Sequence, residues 1–296
     1  MGSNPAGGVP FAIANCRSQI ANLKFEIPSA VRQAHDLEHS RKVARLGRRR
    51  MPLSTKEFIK EIQGMVRRKH SKDHPVIDMI ENGRLTREQL KGFVGQFYLF
   101  FPKPFPKPIA AMLARCPDDP DLERMWIDNV VEEGTGEITG TDSHKALYIR
   151  FARACGYARE ELDRVEPLPE TQAFLDWREL LCYQRSWLEL YASQGFCLEG
   201  TAGERMTRIV NGLTKHYGFD RNSEDIRYWT LHMGVDEEHM KVGPLAVERY
   251  AVTDYQQDLV RRAVQKTLDQ FWLAYDGIKR AFVDKDPLYV QWRSGR

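Results

Sequence analysis

His232, Asp236 and His239 stand four and then three residues apart in the stretch Ile226–Gly243, IRYWTLHMGVDEEHMKVG. On an α-helix those offsets place two imidazoles and a carboxylate on one stripe. That donor set suits a first-row transition metal. Tyr228, Trp229, Leu231, Met233 and Val235 leave little of such a helix for bulk water, so the polar stripe needs a partner. A solvent-facing stripe, or a hydrogen-bonded core cluster without an ion, would fit the same spacing.

Two other places offer donors to a shared site between helices. In NVVEEGTGEITGTDSHKAL, Glu132 and Glu133 end one apolar helix and His144 opens the next. Gly134, Gly136 and Gly140 interrupt any continuous helix, so an acid of this pair meets His144 only if the loop folds back. Glu137 is a rival to them, and a plain charged helix end is the alternative to ligation. In SQGFCLEGTAGERM, Glu199 follows an apolar lead; it is either a ligand or an anion at the start of the helix opening near Thr201. With Glu133 (or Glu132), His144, Glu199, His232, Asp236 and His239, the chain offers three histidines and three carboxylates. That count suits two ions with oxygen and nitrogen ligands and positions left open for dioxygen. The zinc-hydrolase pattern HExxH is absent.

The elements that must position these groups are helical. Ser54 is placed to cap TKEFIKEIQGMVRRKH. Thr86 and Gln89 have the form of a capping box for a helix through Phe100. FPKPFPKP at 101–108 must end that helix. Further helices are expected from Pro108 to before Cys116, and over Asp121–Glu133, Ser143–Cys155, Arg159–Val165, Glu170–Gln194, Thr201–His216, Ser223–Ala246 and Asp254–Val283. No stretch alternates apolar and polar residues as a strand would. The expected fold is therefore an all-α bundle of about eight to ten helices around one core. Residues 1–52 differ: they open with Gly, Pro and Ser and end in Arg48–Arg50, reading as an arm with one amphipathic helix, attached to a catalytic domain over 53–296.

Composition narrows the classes. The 296 residues carry a net charge of only +3 and no basic stripe interleaved with aromatics beyond the N-terminus, so nucleic acid is not an expected partner. No apolar run approaches the roughly 20 residues that span a bilayer, and the start lacks a secretory signal. Five cysteines without a CxxC pair indicate reduced thiols in a cytoplasmic protein.

Four landmarks, GQFYLFFPKPF at 95–105, NVVEEGTG followed by His144, Gly195-x3-Glu199, and HMGVDEEH at 232–239, resemble the haem-oxygenase-like di-iron oxidases, relatives of pyrroloquinoline-quinone synthase and thiaminase II. The resemblance covers roughly residues 54–280. It implies a haem-oxygenase-like bundle in which Glu133, His144, Glu199, His232, Asp236 and His239 ligate two ferrous irons per chain, with dioxygen as co-substrate. The gap between the acidic pair and His144 is longer than the family pattern, which leaves Glu132 against Glu133 open. The implied activity is N-oxygenation, desaturation or oxidative C–C or C–N cleavage of a small amino-acid-derived or carboxylate metabolite in biosynthesis. Gln96, Tyr98 and Trp229 are the expected pocket residues. A homodimer and an external reductant are the expected partners. The competing readings are a cofactorless oxidase or hydrolase on the same scaffold, and a helical binding module without chemistry.

Overall fold

The computed structural model of the protein describes residues 51–233 and 237–293, with the backbone alone described over 237–241. The expected N-terminal arm and its amphipathic helix therefore lie outside the described residues, apart from 51–52, which are exposed and in no regular element.

Every regular element among the described residues is helical. Helix α1 (Thr55–Arg68) begins at Ser54, whose hydroxyl accepts from the Glu57 amide while Glu57 reaches back to the Ser54 amide. Its buried Phe58, Ile62 and Val66 recur every four residues, the spacing of one helical face. Helix α2 (Pro75–Glu81) is capped by the His74 ring. Helix α3 (Arg87–Phe100) opens on the reciprocal Thr86–Gln89 box and is buried continuously from Gly92 to Phe100. Such all-round burial makes it the central helix of the bundle.

After the proline-rich turn come α4 (Lys107–Ala114), α5 (Pro120–Thr135), α6 (His144–Ala154) and α7 (Arg159–Asp163). The single helix expected over 170–194 is divided into α8 (Pro169–Tyr183) and α9 (Trp187–Ala192). The reason is local: Ser186 and Glu189 form a capping box of their own, so the chain restarts there. A π-helical stretch, Ser193–Leu198, comes directly after α9. Then come α10 (Ala202–His216), α11 (Arg227–Met233), α12 (Glu237–Tyr250), α13 (Asp254–Ile278) and the short α14 (Val290–Arg293). There are more helical segments than the eight to ten expected, because short pieces such as α2 and α14 carry too little periodicity to be read from sequence.

One core joins them. Helix α13 runs along α8, α10 packs on α11 and α2, and α12 lies against α9 and the π-helical stretch. The centre is aromatic: Trp229 of α11 lies 4.9 Å from Phe97 and 5.3 Å from Phe151 between ring centroids. Burying each such ring is worth about 1.5–3 kcal/mol, which anchors the helix ending in His232. Two backbones approach closely at Gly195 and Gly243. A Cβ on Gly195 would sit 2.4 Å from the Gly243 nitrogen, so only glycine lets α12 meet the π-helical stretch.

Candidate metal centre

The loop after α5 does fold back. Gly136 terminates α5 in the left-handed region at φ +69°, and its carbonyl accepts from the Thr141 amide at 2.9 Å. Ser143 then caps α6, which starts with His144. This hairpin brings the end of α5 onto the first residue of α6.

The two glutamates take different places. Glu132 is buried and receives four hydrogen bonds. Its Oε2 accepts from the Ile138 and Thr139 amides, both at 3.1 Å, and its Oε1 accepts from the Thr139 hydroxyl at 2.5 Å and faces His144 Nε2 at 3.1 Å. Burial opposes its ionisation, but the Thr139 hydroxyl, His144 and the Thr139 amide together hold its carboxyl below the ordinary value. Glu132 is thus an acceptor only, and His144 must donate from Nε2. Glu133 is on the other side of the ring, with Oε2 3.0 Å from His144 Nδ1. The ring is thus held between two carboxylates, one at each nitrogen.

His232 arrives from α11. Its Nδ1 lies 2.6 Å from the Tyr228 carbonyl one turn earlier, which obliges Nδ1 to carry the proton and leaves Nε2 as a lone-pair donor. The His144 and His232 rings are 4.7 Å apart. One ligand-type atom each from Glu133, His144 and His232 lies within 4.8 Å of the others. Both histidines therefore have one nitrogen tied by a hydrogen bond and the other directed to a common point, as metal-binding histidines do.

The electrostatics separate the two rings. Burial alone would lower His144, but Glu133 and Glu132 override it and raise it to about 9. Burial, reinforced by the charge on His144, lowers His232 to about 4. Near neutrality one imidazole is cationic between two carboxylates and the other is neutral. A cation that replaces the His144 proton would find the same negative surroundings. The donor chemistry fits a divalent transition metal.

Glu199 closes the π-helical stretch and accepts from Gln194 Nε2 at 2.6 Å. It lines a narrow cavity together with Glu133, His232, Tyr228 and Arg205. A π-helical turn inserts an extra residue and re-aims the side chains beyond it, a feature concentrated at functional sites. Of the six sequence-selected donors, Glu133, His144 and His232 converge, and Glu199 lines the cavity that Glu133 and His232 share. Asp236 lies outside the described residues. His239 belongs to α12, and its side chain lies outside them too. Glu137, the rival acid, is exposed and takes no part in the cluster.

The expected pocket residues are elsewhere. Gln96 is buried, but its amide is spent on the chain crossing it: Nε2 donates to the Glu166 carbonyl, and Oε1 accepts from the Leu168 amide and the Thr171 hydroxyl. The Tyr98 hydroxyl donates to Asp163 at 3.4 Å. Trp229 is packed among core aromatics. None of the three lines the cavity that Glu133, Glu199 and His232 share. Two residues that do, Tyr228 and Arg205, were missed. For Arg205 a signal existed: it falls four and eight residues before Ile209 and Leu213, on the buried stripe of α10.

With this geometry in place, the relationships of the chain are clear. A family model described as iron-containing redox enzyme matches residues 91–272. The chain belongs to that family of iron-containing redox enzymes. It is 30% identical to the 4-aminobenzoate synthase of Chlamydia muridarum over 67% of this chain and 80% of that protein. It is 24% identical to the pyrroloquinoline-quinone synthase of Klebsiella pneumoniae, covering 73% of this chain and 84% of the relative. Among solved structures, a domain of haem-oxygenase-like fold from Shewanella denitrificans superposes with a TM-score of 0.57 at 13% identity, over 78% of this chain and 93% of that one.

Proposed function

We propose that this enzyme is a non-haem di-iron oxidase or oxygenase that uses dioxygen on a small amino-acid-derived or carboxylate metabolite, in a biosynthetic route. The observation that carries the proposal is the convergence of Glu133, His144 Nδ1 and His232 Nε2, each imidazole with its second nitrogen already tied. Glu133, His144 and Glu199 are the proposed ligands from the first half of the site. His232, Asp236 and His239 are those from the second. The relatives named for the synthesis of 4-aminobenzoate and of pyrroloquinoline quinone support a biosynthetic role.

Bound iron would supply the electrons and the Lewis acidity that activate dioxygen. The remaining work falls to the chain. Glu132 holds His144 in the tautomer that presents Nδ1, and the Tyr228 carbonyl does the same for His232 Nε2. The proton that His144 carries between Glu132 and Glu133 must leave when a cation enters. Phe101, Phe105, Leu198 and Met206 give the cavity apolar walls. A substrate losing two electrons supplies half of the four that reduce dioxygen to water, so an external reductant belongs to the proposal. A homodimer in the cytoplasm is its expected setting.

The test is oxygen uptake by iron-loaded protein supplied with ascorbate, against free iron and against His232→Ala. Uptake above the free-iron control, lost in the variant, is the expected result. Uptake equal to free iron, or unchanged in His232→Ala, overturns the proposal.

A further inference from the structure

Arg205 is 1% exposed, and a guanidinium only donates, so it sets the direction of the hydrogen bonds around it. Its Nη1 donates to Ser71 Oγ at 2.7 Å, to Thr201 Oγ1 at 2.8 Å and to the Thr201 carbonyl at 3.3 Å. The Ser71 hydroxyl in turn donates to Thr201 Oγ1 at 3.1 Å. Thr201 Oγ1 accepts from both and gives its own proton to the Cys197 carbonyl at 2.7 Å, with the Leu198 carbonyl at 3.4 Å. Ser71 and Thr201 are buried as well. The hydrogens thus run one way, from the guanidinium through two hydroxyls into the π-helical stretch Ser193–Leu198.

Packing alone does not call for this arrangement. The guanidinium lies against the Phe271 ring, 5.1 Å from its centroid, and its Nε is buried with no hydrogen-bond partner among the described residues. An apolar side chain at that point of α10 would fill the space without the cost of burying a charge. What the arginine adds is direction. A π-helical turn departs from the regular ladder of an α-helix, and a hydroxyl bonded to a carbonyl of the turn fixes how it ends. Glu199 is the residue that follows this turn, two positions before Thr201. It is held from the other side by Gln194 Nε2 at 2.6 Å, and it lines one cavity with Arg205, Glu133 and His232.

We infer that Arg205 and Thr201 are positioning residues for Glu199. Arg205 fixes the Thr201 hydroxyl, the hydroxyl fixes the end of the π-helical stretch, and that end fixes the direction of the Glu199 carboxylate. The role of Glu199 as a metal ligand is taken from the proposed function. A positioning role and a pure charge role differ in sign. A guanidinium beside Glu133 and Glu199 repels a bound cation, so removing its charge alone would tighten metal binding. Losing the aim of a ligand weakens it. Thr201→Val separates the two, because it keeps every charge and a similar shape and removes only the hydroxyl.

The probe is cobalt(II), titrated into metal-free protein and followed by its visible absorption, which reports the ligands around the ion; the melting temperature checks the fold. Thr201→Val is expected to bind as many ions as the wild type, with affinity at the Glu199 site about 10- to 100-fold lower and an altered visible spectrum. Thr201→Ser restores the hydroxyl and should recover both. Arg205→Lys keeps the charge and loses the fork, so it should weaken cobalt in the same direction by a smaller factor, and it carries the test if the valine variant does not fold. In a Glu199→Gln background, neither Thr201→Val nor Arg205→Lys should weaken cobalt further, since the carboxylate they aim is gone. Wild-type affinity and spectrum in both Thr201→Val and Arg205→Lys overturn the inference, as does a loss of equal size with and without the Glu199 carboxylate. In those cases Glu199→Gln alone still weakens cobalt and the proposed function stands. Wild-type cobalt binding in Glu199→Gln overturns the ligand assignment itself, and the positioning role falls with it.

Discussion

Replacing Glu132 by Gln is the sharpest perturbation the site offers, because it keeps the shape of the side chain and changes one acceptor into a donor. Oε2 serves two backbone amides, which cannot turn away. The new amide nitrogen must therefore take the place of Oε1, opposite the Thr139 hydroxyl and His144 Nε2. Thr139 adapts by turning its proton to the Thr141 hydroxyl 3.0 Å away. His144, cationic in the wild type, adapts by giving up its Nε2 proton to accept from the new amide, which fixes its remaining proton on Nδ1, the atom facing Glu133. The ligand nitrogen is then blocked, and binding a metal requires breaking the new bond. Loss of such a supporting contact typically costs about 10- to 100-fold in metal affinity, or about 1.4–2.7 kcal/mol. In a chelator competition with zinc, Glu132→Gln should bind the same number of ions as the wild type, each about 10- to 100-fold more weakly at the His144 site. Glu133→Gln should instead lose stoichiometry. If Glu132→Gln loses an ion and Glu133→Gln retains all of them, the roles of the two glutamates are reversed and the reasoning fails.

Other predictions concern the frame around the site. Gly195→Ala puts a methyl 2.4 Å from the Gly243 nitrogen, so it should cost about 1–3 kcal/mol by overpacking and lower both the melting temperature and the iron content; an unchanged melt would refute the close-approach argument. Burial lowers His74 against the pull of Asp276. Its stabilising effect is therefore complete above the unfolded value of about 6.5 and is lost as pH falls below it. Urea midpoints at about pH 7 and about pH 5.5 should fall less in His74→Asn, which still caps α2, than in the wild type; equal falls would exclude His74 as a source. His216, distant from the cluster in sequence and partner set, is the control: His216→Ala should keep iron binding and oxygen uptake, and loss of either would mean that the centre is misplaced.

The capping boxes at Ser54 and Thr86 and the breaks at Pro-rich and Gly-rich segments were legible because their physics is local. The division between α8 and α9 was missed although Ser186–Glu189 carries the same box, since the surrounding hydrophobic run masked it. Glu133, His144 and His232 were legible as residue types, and they do converge; the helical spacing that linked His232 to Asp236 and His239 falls partly outside the described residues. What sequence left open was the orientation of neighbours. Glu132 and Glu133 point about 100° apart on α5, and only the fold-back of 136–143 shows which one meets Nδ1 and which one supports Nε2. Gln96 misled for a related reason. A buried amide between aromatics suggests a ligand, but here three groups from 166–171 satisfy it. Arg205 was overlooked because an isolated arginine reads as surface until the burial of its helical stripe is considered.

The central claim is that six side chains of this chain hold two irons. The measurement that tests it most directly is an anaerobic titration of metal-free protein with ferrous iron, with Mössbauer spectroscopy of the loaded sample. Two ferrous ions per chain in distinct nitrogen- and oxygen-ligated sites, both weakened in His232→Ala and His239→Ala, is the predicted result. A single ion at saturation, or two whose binding is indifferent to His232, would contradict it.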